Sequence, residues 1–223
     1  SYSKDNFNTD LEGDGAFICQ NSWGDNFGEN GFFYISYYDT NIGTHNVVYT
    51  DIENTDNYDH IYQSDLCGWV GQLGYNKDSI YGANVFTAEG NETLKAASFY
   101  ATGKDSQYEL YVVRQFEDET SLEKMIPVAS GKLGNAGYYT VDFNQGIEVD
   151  AGERYAVVLY IITPGSVHPM AIEYAADEAT ENVDLDDGES YISANGSKWV
   201  SVDTVEKSNL CIKAVSYTHL RAH

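Results

Sequence analysis

The segment RYAVVLYII, residues 154–162, limits the fold more than any other stretch of the chain. Tyr155, Val157, Leu159 and Ile161 lie on one face of an extended chain, and Ala156, Val158 and Tyr160 on the other. Both faces are apolar, so this strand belongs at the centre of a sheet that is covered on both sides. No apolar run in the chain approaches the roughly 20 residues that a membrane-spanning helix requires, so no membrane span is expected. TLKAASFYA (93–101), QYELYVVRQ (107–115) and GYYTVDF (137–143) repeat the theme of short β-branched and aromatic runs between turn signals. In the last of these, Tyr139, Val141 and Phe143 share one face, opposite Thr140 and Asp142. That alternation marks a half-buried antiparallel strand. A turn at Asp150–Gly152 precedes the central strand. No window of a dozen residues fits the helical template, and EDETSLEKM (117–125) holds at most one or two helical turns. The expected fold is mostly β, an antiparallel β-sandwich of the jelly-roll type.

Nearer the N-terminus, GAFICQNS (15–22) and GFFYISYYD (31–39) read as two strands joined by the glycine-rich WGDNFGEN. By residue type alone, Asn21 caps a turn and Trp23 is a core aromatic. The full string from Asn21 to Phe32, N-S-W-G-x-x-F-G-x-x-G-F, resembles the C-terminal motif of papain-like cysteine peptidases, N-S-W-G-x-x-W-G-x-x-G-Y. Asn21, Ser22, Trp23, Gly24, Gly28 and Gly31 match. Phe27 stands where Trp is usual, Phe32 where Tyr is usual, and Gln20 where Lys is common. The resemblance implies that residues 1–42 are the last strands of a papain-like α+β peptidase domain, with Asn21 as the third member of a Cys-His-Asn triad. In that chemistry the amide oxygen accepts a hydrogen bond from the catalytic imidazole, fixing its tautomer and aiming its other nitrogen at the thiol. Trp23 would lie over the Asn–His bond and exclude water from it. The substrate implied is a peptide or protein, and the reaction calls for no cofactor and no metal.

The nucleophile and base of such a triad are absent from the chain. Cys19, Cys67 and Cys211 lack the Gly-Ser-Cys-Trp type of flank, and His45 and His60 follow Asn21 where the family's histidine precedes it. SYSKDNFN resembles the sequence that follows that histidine, which places the histidine just before residue 1. The expectation is therefore the C-terminal fragment of a longer peptidase, inactive alone. The chain opens on Ser rather than Met, and no signal peptide is in view.

Beyond a polar linker at 43–57, with NVVYT as a strand inside it, residues 58–215 resemble the lectin-like β-sandwich that follows the peptidase domain in secreted or surface cysteine peptidases of anaerobic Gram-positive bacteria. YDHIYQSDLCGWVGQLGY (58–75), AGERYAVVLYIITPG (151–165) and GESYISANGSKWV (188–200) are among the stretches that carry it. The resemblance implies an extracellular or cell-surface location and a second function class, a carbohydrate or cell-wall binding module with a peptidase remnant. Sugar binding needs an aromatic platform with a polar rim, and Trp69, Trp199 and some of the 19 Tyr are available for one. The same two tryptophans also fit a core at the ends of a sandwich.

Charge and cysteine content narrow the partners further. Asp plus Glu number 35 against 12 Lys plus Arg, a formal charge of -23, so the surface repels nucleic acid and anionic membrane. Such a charge keeps a protein soluble, and it also admits divalent cations. The acidic run NVDLDDGE (182–189) misses the EF-hand pattern and reads as a solvated turn before the strand SYISA, with no metal assigned. Three cysteines at wide spacing form neither a disulfide framework nor a zinc pattern, and a Cys67–Cys211 bridge stays open. Residues 216–223, SYTHLRAH, break the pattern, resemble a translated sequencing adapter, and are expected to lie outside the fold.

Overall fold

The computed structural model describes residues 12–43, 47–50, 54 and 57–218. Residues 1–11, the linker segments 44–46 (with His45), 51–53 and 55–56, and the tail 219–223 lie outside the described residues. The chain divides into two compact units, Ser1–Glu53 and Asn54–His223.

The first unit is a two-stranded antiparallel ribbon, β1 (Ala16–Gln20) and β2 (Phe32–Ser36), with Ala16 opposite Ser36 and Gln20 opposite Phe32. A tight glycine-rich turn joins the strands. Gly28 has φ +68°, and a Cβ there would lie 2.1 Å from the Phe32 carbonyl oxygen, so no other residue fits without moving the turn. Further on, Val47, Val48 and Tyr49 are exposed and form no strand.

The second unit runs β3 (His60–Tyr62), β4 (Gly71–Leu73), β5 (Ser79–Thr87), β6 (Glu92–Ala101), β7 (Ser106–Val113), a 3-10 turn (Glu119–Glu123), β8 (Ile126–Leu133), β9 (Gly137–Val149), β10 (Arg154–Ile162), β11 (Met170–Glu173), β12 (Glu189–Ser193), β13 (Val200–Ser201), one helical turn α1 (Val202–Val205), β14 (Asn209–Leu210) and β15 (Ile212–Thr218). The strands form a β-sandwich, antiparallel throughout. One layer is six-stranded, in the order β13-β12-β5-β10-β7-β8. The facing layer combines a four-stranded sheet, β3-β15-β6-β9, with a three-stranded one, β14-β11-β4.

β10 lies between β5 and β7, with Leu159 opposite both Gly82 and Leu110. Its inward residues Tyr155, Val157, Leu159 and Ile161 join the main core between the layers. Its outward residues Ala156 and Val158 join a second cluster on the other face of the same sheet, with Val113, Phe116 and Leu122. A fully buried Leu or Ile contributes about 1.5–3 kcal/mol over the exposed state. Both faces of β10 are dry for that reason, and the central place expected of it is the place it takes.

The C-terminal limit of the fold lies beyond residue 215. Ser216, Tyr217 and Thr218 continue β15 and pair with Leu94, Thr93 and Glu92 of β6. The Ser216 hydroxyl donates to the buried Glu92 carboxylate, and the Thr218 N–H donates to Asp59 Oδ2 at 2.8 Å. The break in composition at 216 therefore does not mark a break in structure, because backbone pairing is indifferent to most side chains. Only the last five residues of the expected tail stay outside the described chain.

A polar side chain joins the layers in the middle of this apolar core. Asn84 of β5 is 1% exposed. Its Nδ2 donates to the carbonyls of Leu210 at 2.9 Å and Ile212 at 2.8 Å, and its Oδ1 accepts from the Ser190 hydroxyl at 2.7 Å. Tyr155 is the opposite case, since its buried hydroxyl has no hydrogen-bond partner. Asn84→Leu should lower stability by about 2–5 kcal/mol, because two carbonyls and a hydroxyl lose their partner in a dry core. Tyr155→Phe should leave stability unchanged or raise it by about 1 kcal/mol. Urea denaturation midpoints at constant m-value check both signs, and a destabilised Tyr155→Phe protein would contradict the assignment.

Candidate functional site

Asn21 leaves β1 at the mouth of the ribbon turn. Its backbone N–H donates to the Gly31 carbonyl at 2.9 Å, extending the ladder past Gln20. Its side chain braces the turn in both directions: Nδ2 donates to the Phe27 carbonyl at 3.3 Å, and Oδ1 accepts from the Trp23 N–H at 2.7 Å. An amide oxygen has two lone pairs, so Oδ1 keeps a second acceptor site. Trp23 packs edge-on against Phe27 at 5.2 Å, and Phe27 packs edge-on against Phe33 at 5.6 Å. A phenyl ring at position 27 thus preserves the aromatic stack. Trp23 is nevertheless 77% exposed. Gln20, Asn21, Ser22, Trp23, Phe27 and Phe33 line an open, mostly apolar cleft of about 470 Å³, and among the described residues no Cys or His lines it.

The three cysteines are free. Cys19 is half-buried on β1, Cys67 is exposed in the loop between β3 and β4, and Cys211 is buried between β14 and β15. Desolvation and the Glu173 carboxylate push the Cys67 thiol up, and burial with the Asp65 charge pushes up that of Cys211. A catalytic cysteine needs the opposite shift. His60 sits on β3 with Nδ1 3.3 Å from Glu89 Oε2 and its ring stacked on Tyr62.

The two sandwich tryptophans have different surroundings. Trp199 is half-buried and packs against Tyr81 in the outer cluster of the six-stranded sheet. Trp69 is 37% exposed and lies 5.9 Å from the Tyr100 ring, which in turn lies 4.9 Å from Tyr138. Trp199 therefore joins a core, whereas Trp69 begins an open row of rings.

The acidic run 182–189 is a turn before β12, and its groups converge on Asn209, a residue that no sequence pattern singled out. Asn209 Nδ2 lies 2.9 Å from the Ser64 carbonyl, 2.9 Å from the Asp184 carbonyl, 3.1 Å from Glu173 Oε1 and 3.2 Å from Asp187 Oδ1. Two amide protons serve four acceptors. Glu173 and Asn209 are buried, and the second Glu173 oxygen accepts from the Cys67 N–H. Gly188 permits the approach, since a Cβ there would lie 2.5 Å from Asn209 Oδ1. Burial and the Asp184 charge raise the Asp187 carboxyl above its usual range, against the hydrogen bond from Asn209. Among the described residues, no three His, Cys, Asp or Glu side chains gather as metal ligands.

Comparison with protein families matches residues 61–216 to the family described as Lectin like domain. Comparison with curated proteins returns no match. Among solved structures, the chain is similar to the clostridial cysteine protease Cwp84, solved as a cysteine-to-alanine variant after propeptide cleavage. Identity is 28%, the TM-score is 0.79, and the match covers 97% of this chain and 55% of that one. It is also similar to the cysteine protease and lectin-like domains of Cwp84, a surface layer associated protein of Clostridium difficile. There identity is 26% and the TM-score 0.75, with 97% and 49% of the two chains covered. This chain thus spans about half the length of the solved relatives it matches.

The Asn209 cluster makes a sharp prediction because Asn and Asp differ little in shape. Asn209→Asp would put a third carboxylate beside Glu173 and Asp187 and remove their shared donor. At pH 7.5 the loss should be about 3–5 kcal/mol, the range for an uncompensated buried charge. The introduced carboxyl has a folded-state pKa above its unfolded value, so the folded state takes up the proton first. The loss should therefore shrink as pH falls towards 5. Thermal denaturation at both pH values reads this, and an equal loss at each would rule out a charge effect.

Proposed function

The chain belongs to the lectin-like domain family, and on that premise we propose that it is the C-terminal part of a papain-like cysteine peptidase: a ribbon presenting the triad asparagine, followed by a lectin-like sandwich. The observation that carries this reading is the state of Asn21. Its amide is fixed by Phe27 and the Trp23 N–H, yet Oδ1 keeps a free acceptor site beside an apolar cleft. An imidazole N–H entering that cleft would complete the second bond, with Trp23 beside it to exclude water. The breadth of the match to cysteine proteases supports the same reading, because 97% of this chain reaches well past the 61–216 domain. The surface layer association of Cwp84 supports a cell-surface location for this chain as well.

Among the described residues that line the cleft there is neither a nucleophilic Cys nor a His base, so on this reading peptide hydrolysis draws both from other parts of a longer peptidase. The second reading, carbohydrate binding by the sandwich, is favoured by the open ring row of Trp69, Tyr100 and Tyr138, which no core packing accounts for.

Residues 1–223 alone should show no turnover of fluorogenic peptides in the presence of a reducing thiol. E-64-sensitive activity would sink the assignment. Joined to a peptidase core that carries Cys and His, Asn21→Ala should lower kcat by roughly 10²–10⁴-fold while KM changes little. An unchanged kcat would remove Asn21 from the triad.

A further inference from the structure

The outer face of the four-stranded sheet can be reconstructed strand by strand. Phe99, Val141 and Ile212 turn into the main core, so their neighbours Tyr100, Ser98, Tyr138, Thr140 and Lys213 turn outward. Register brings Lys213, Ser98 and Thr140 into one row across the sheet, and Tyr100 and Tyr138 into the next. Trp69 arrives from the loop between β3 and β4 and lies against Tyr100, so three rings run side by side, each tilted 55° to its neighbour.

These rings pack on one another while the outer two stay open to water. The loop that carries Trp69 lies close to the Tyr100 hydroxyl, since a Cβ on the neighbouring Gly68 would fall 3.0 Å from it. In the row next to Tyr138, the Ser98 and Thr140 hydroxyls hydrogen-bond each other at 2.9 Å. Trp69 and Tyr138 nevertheless remain 37% and 48% exposed. Fixed aromatic surface in water costs little further entropy when a ligand arrives. Thr140 and Asp142 follow Tyr138 on the same face of β9 and are exposed, so ring, hydroxyl and carboxylate stand in a line spanning roughly 14 Å at 3.4 Å per residue.

The charges on this face discriminate among ligands. Lys213, the cation in the row next to the rings, is buried and spent on Asp65, with Nζ 2.6 Å from Oδ1. It offers nothing to an anion, whereas the Asp142 carboxylate accepts hydrogen bonds from neutral donors. A chain of net charge -23 adds long-range repulsion of polyanions.

We propose that Trp69, Tyr100 and Tyr138, with Thr140 and Asp142 at the rim, form a seat for a neutral pyranose oligosaccharide. The apolar ring faces of the sugar stack on Trp69 and Tyr138, and its hydroxyls donate to Asp142 and exchange with Thr140. The proposal rests on the carbohydrate reading of the sandwich given above, and adds to it a location and a ligand class.

The test is calorimetric titration of the full 223-residue chain with cellotetraose, N-acetylchitotetraose and tetragalacturonate. A neutral tetrasaccharide should bind and the acidic one should not. Trp69→Ala and Tyr138→Ala should each weaken binding about tenfold or more. Asp142→Asn, an exposed change that keeps the fold, should weaken it severalfold, and Tyr111→Phe on the six-stranded sheet should have no effect. Native-like sugar affinity in folded Tyr138→Ala and Asp142→Asn proteins would overturn this seat while leaving carbohydrate binding elsewhere on the sandwich intact. Ring-dependent binding of tetragalacturonate would overturn the neutral class alone. No binding of any of the three at millimolar concentration by the folded native chain would overturn both the seat and the carbohydrate reading. Self-association of the chain abolished by Tyr138→Ala would instead identify the rings as a protein contact.

Discussion

The amide of Asn84 sits where the sandwich has to solve its hardest geometric problem. Between Leu210 and Ile212 the chain leaves the three-stranded sheet and enters the four-stranded one. A change of sheet interrupts the ladder, and carbonyls at such a seam risk burial without a donor. Asn84 reaches across from the opposite layer and supplies donors to the carbonyls on both sides of the switch. Ser190 of the neighbouring strand fixes the orientation of that amide. At the same point the Cys211 N–H donates to the Ala171 carbonyl at 3.1 Å. Two layers that share only dispersion forces could slide past each other, and these directed bonds hold their register.

The ribbon and the sandwich work on different length scales. Around Asn21 both side-chain hydrogen bonds are local, within six residues in sequence. A short motif can therefore specify the geometry by itself, which is why a twelve-residue string was enough to single it out. Around Asn209 the partners come from residues 64, 173, 184 and 187, and no local pattern announces such a meeting. An acidic run next to a strand has the same appearance whether it faces water or a buried amide.

The same distinction governs what was legible in the sequence. The central place of RYAVVLYII followed from its two apolar faces, a property of the segment alone. The single Asn within GANVFT carries no local signal of its role, because its value lies in carbonyls more than 120 residues away. Composition misled at residue 216, where an unusual run still pairs as a strand, since the ladder reads backbone rather than side chains. Trp69 and Trp199 could not be separated by type. Their difference comes from neighbours, Tyr81 and the outer cluster for one and an exposed sheet face for the other.

The position of β15 has a consequence for how the protein is made. It pairs with β3 on one side and β6 on the other, bringing residues 60–62 beside residues 214–216. During synthesis the four-stranded sheet stays in two pieces until this strand is available. Its two partner strands would meanwhile expose unpaired edges and the apolar side chains of the main core. Long-range closure of this kind is slow, and edges left open invite pairing with other chains. This sheet is thus most vulnerable in the interval before β15 docks.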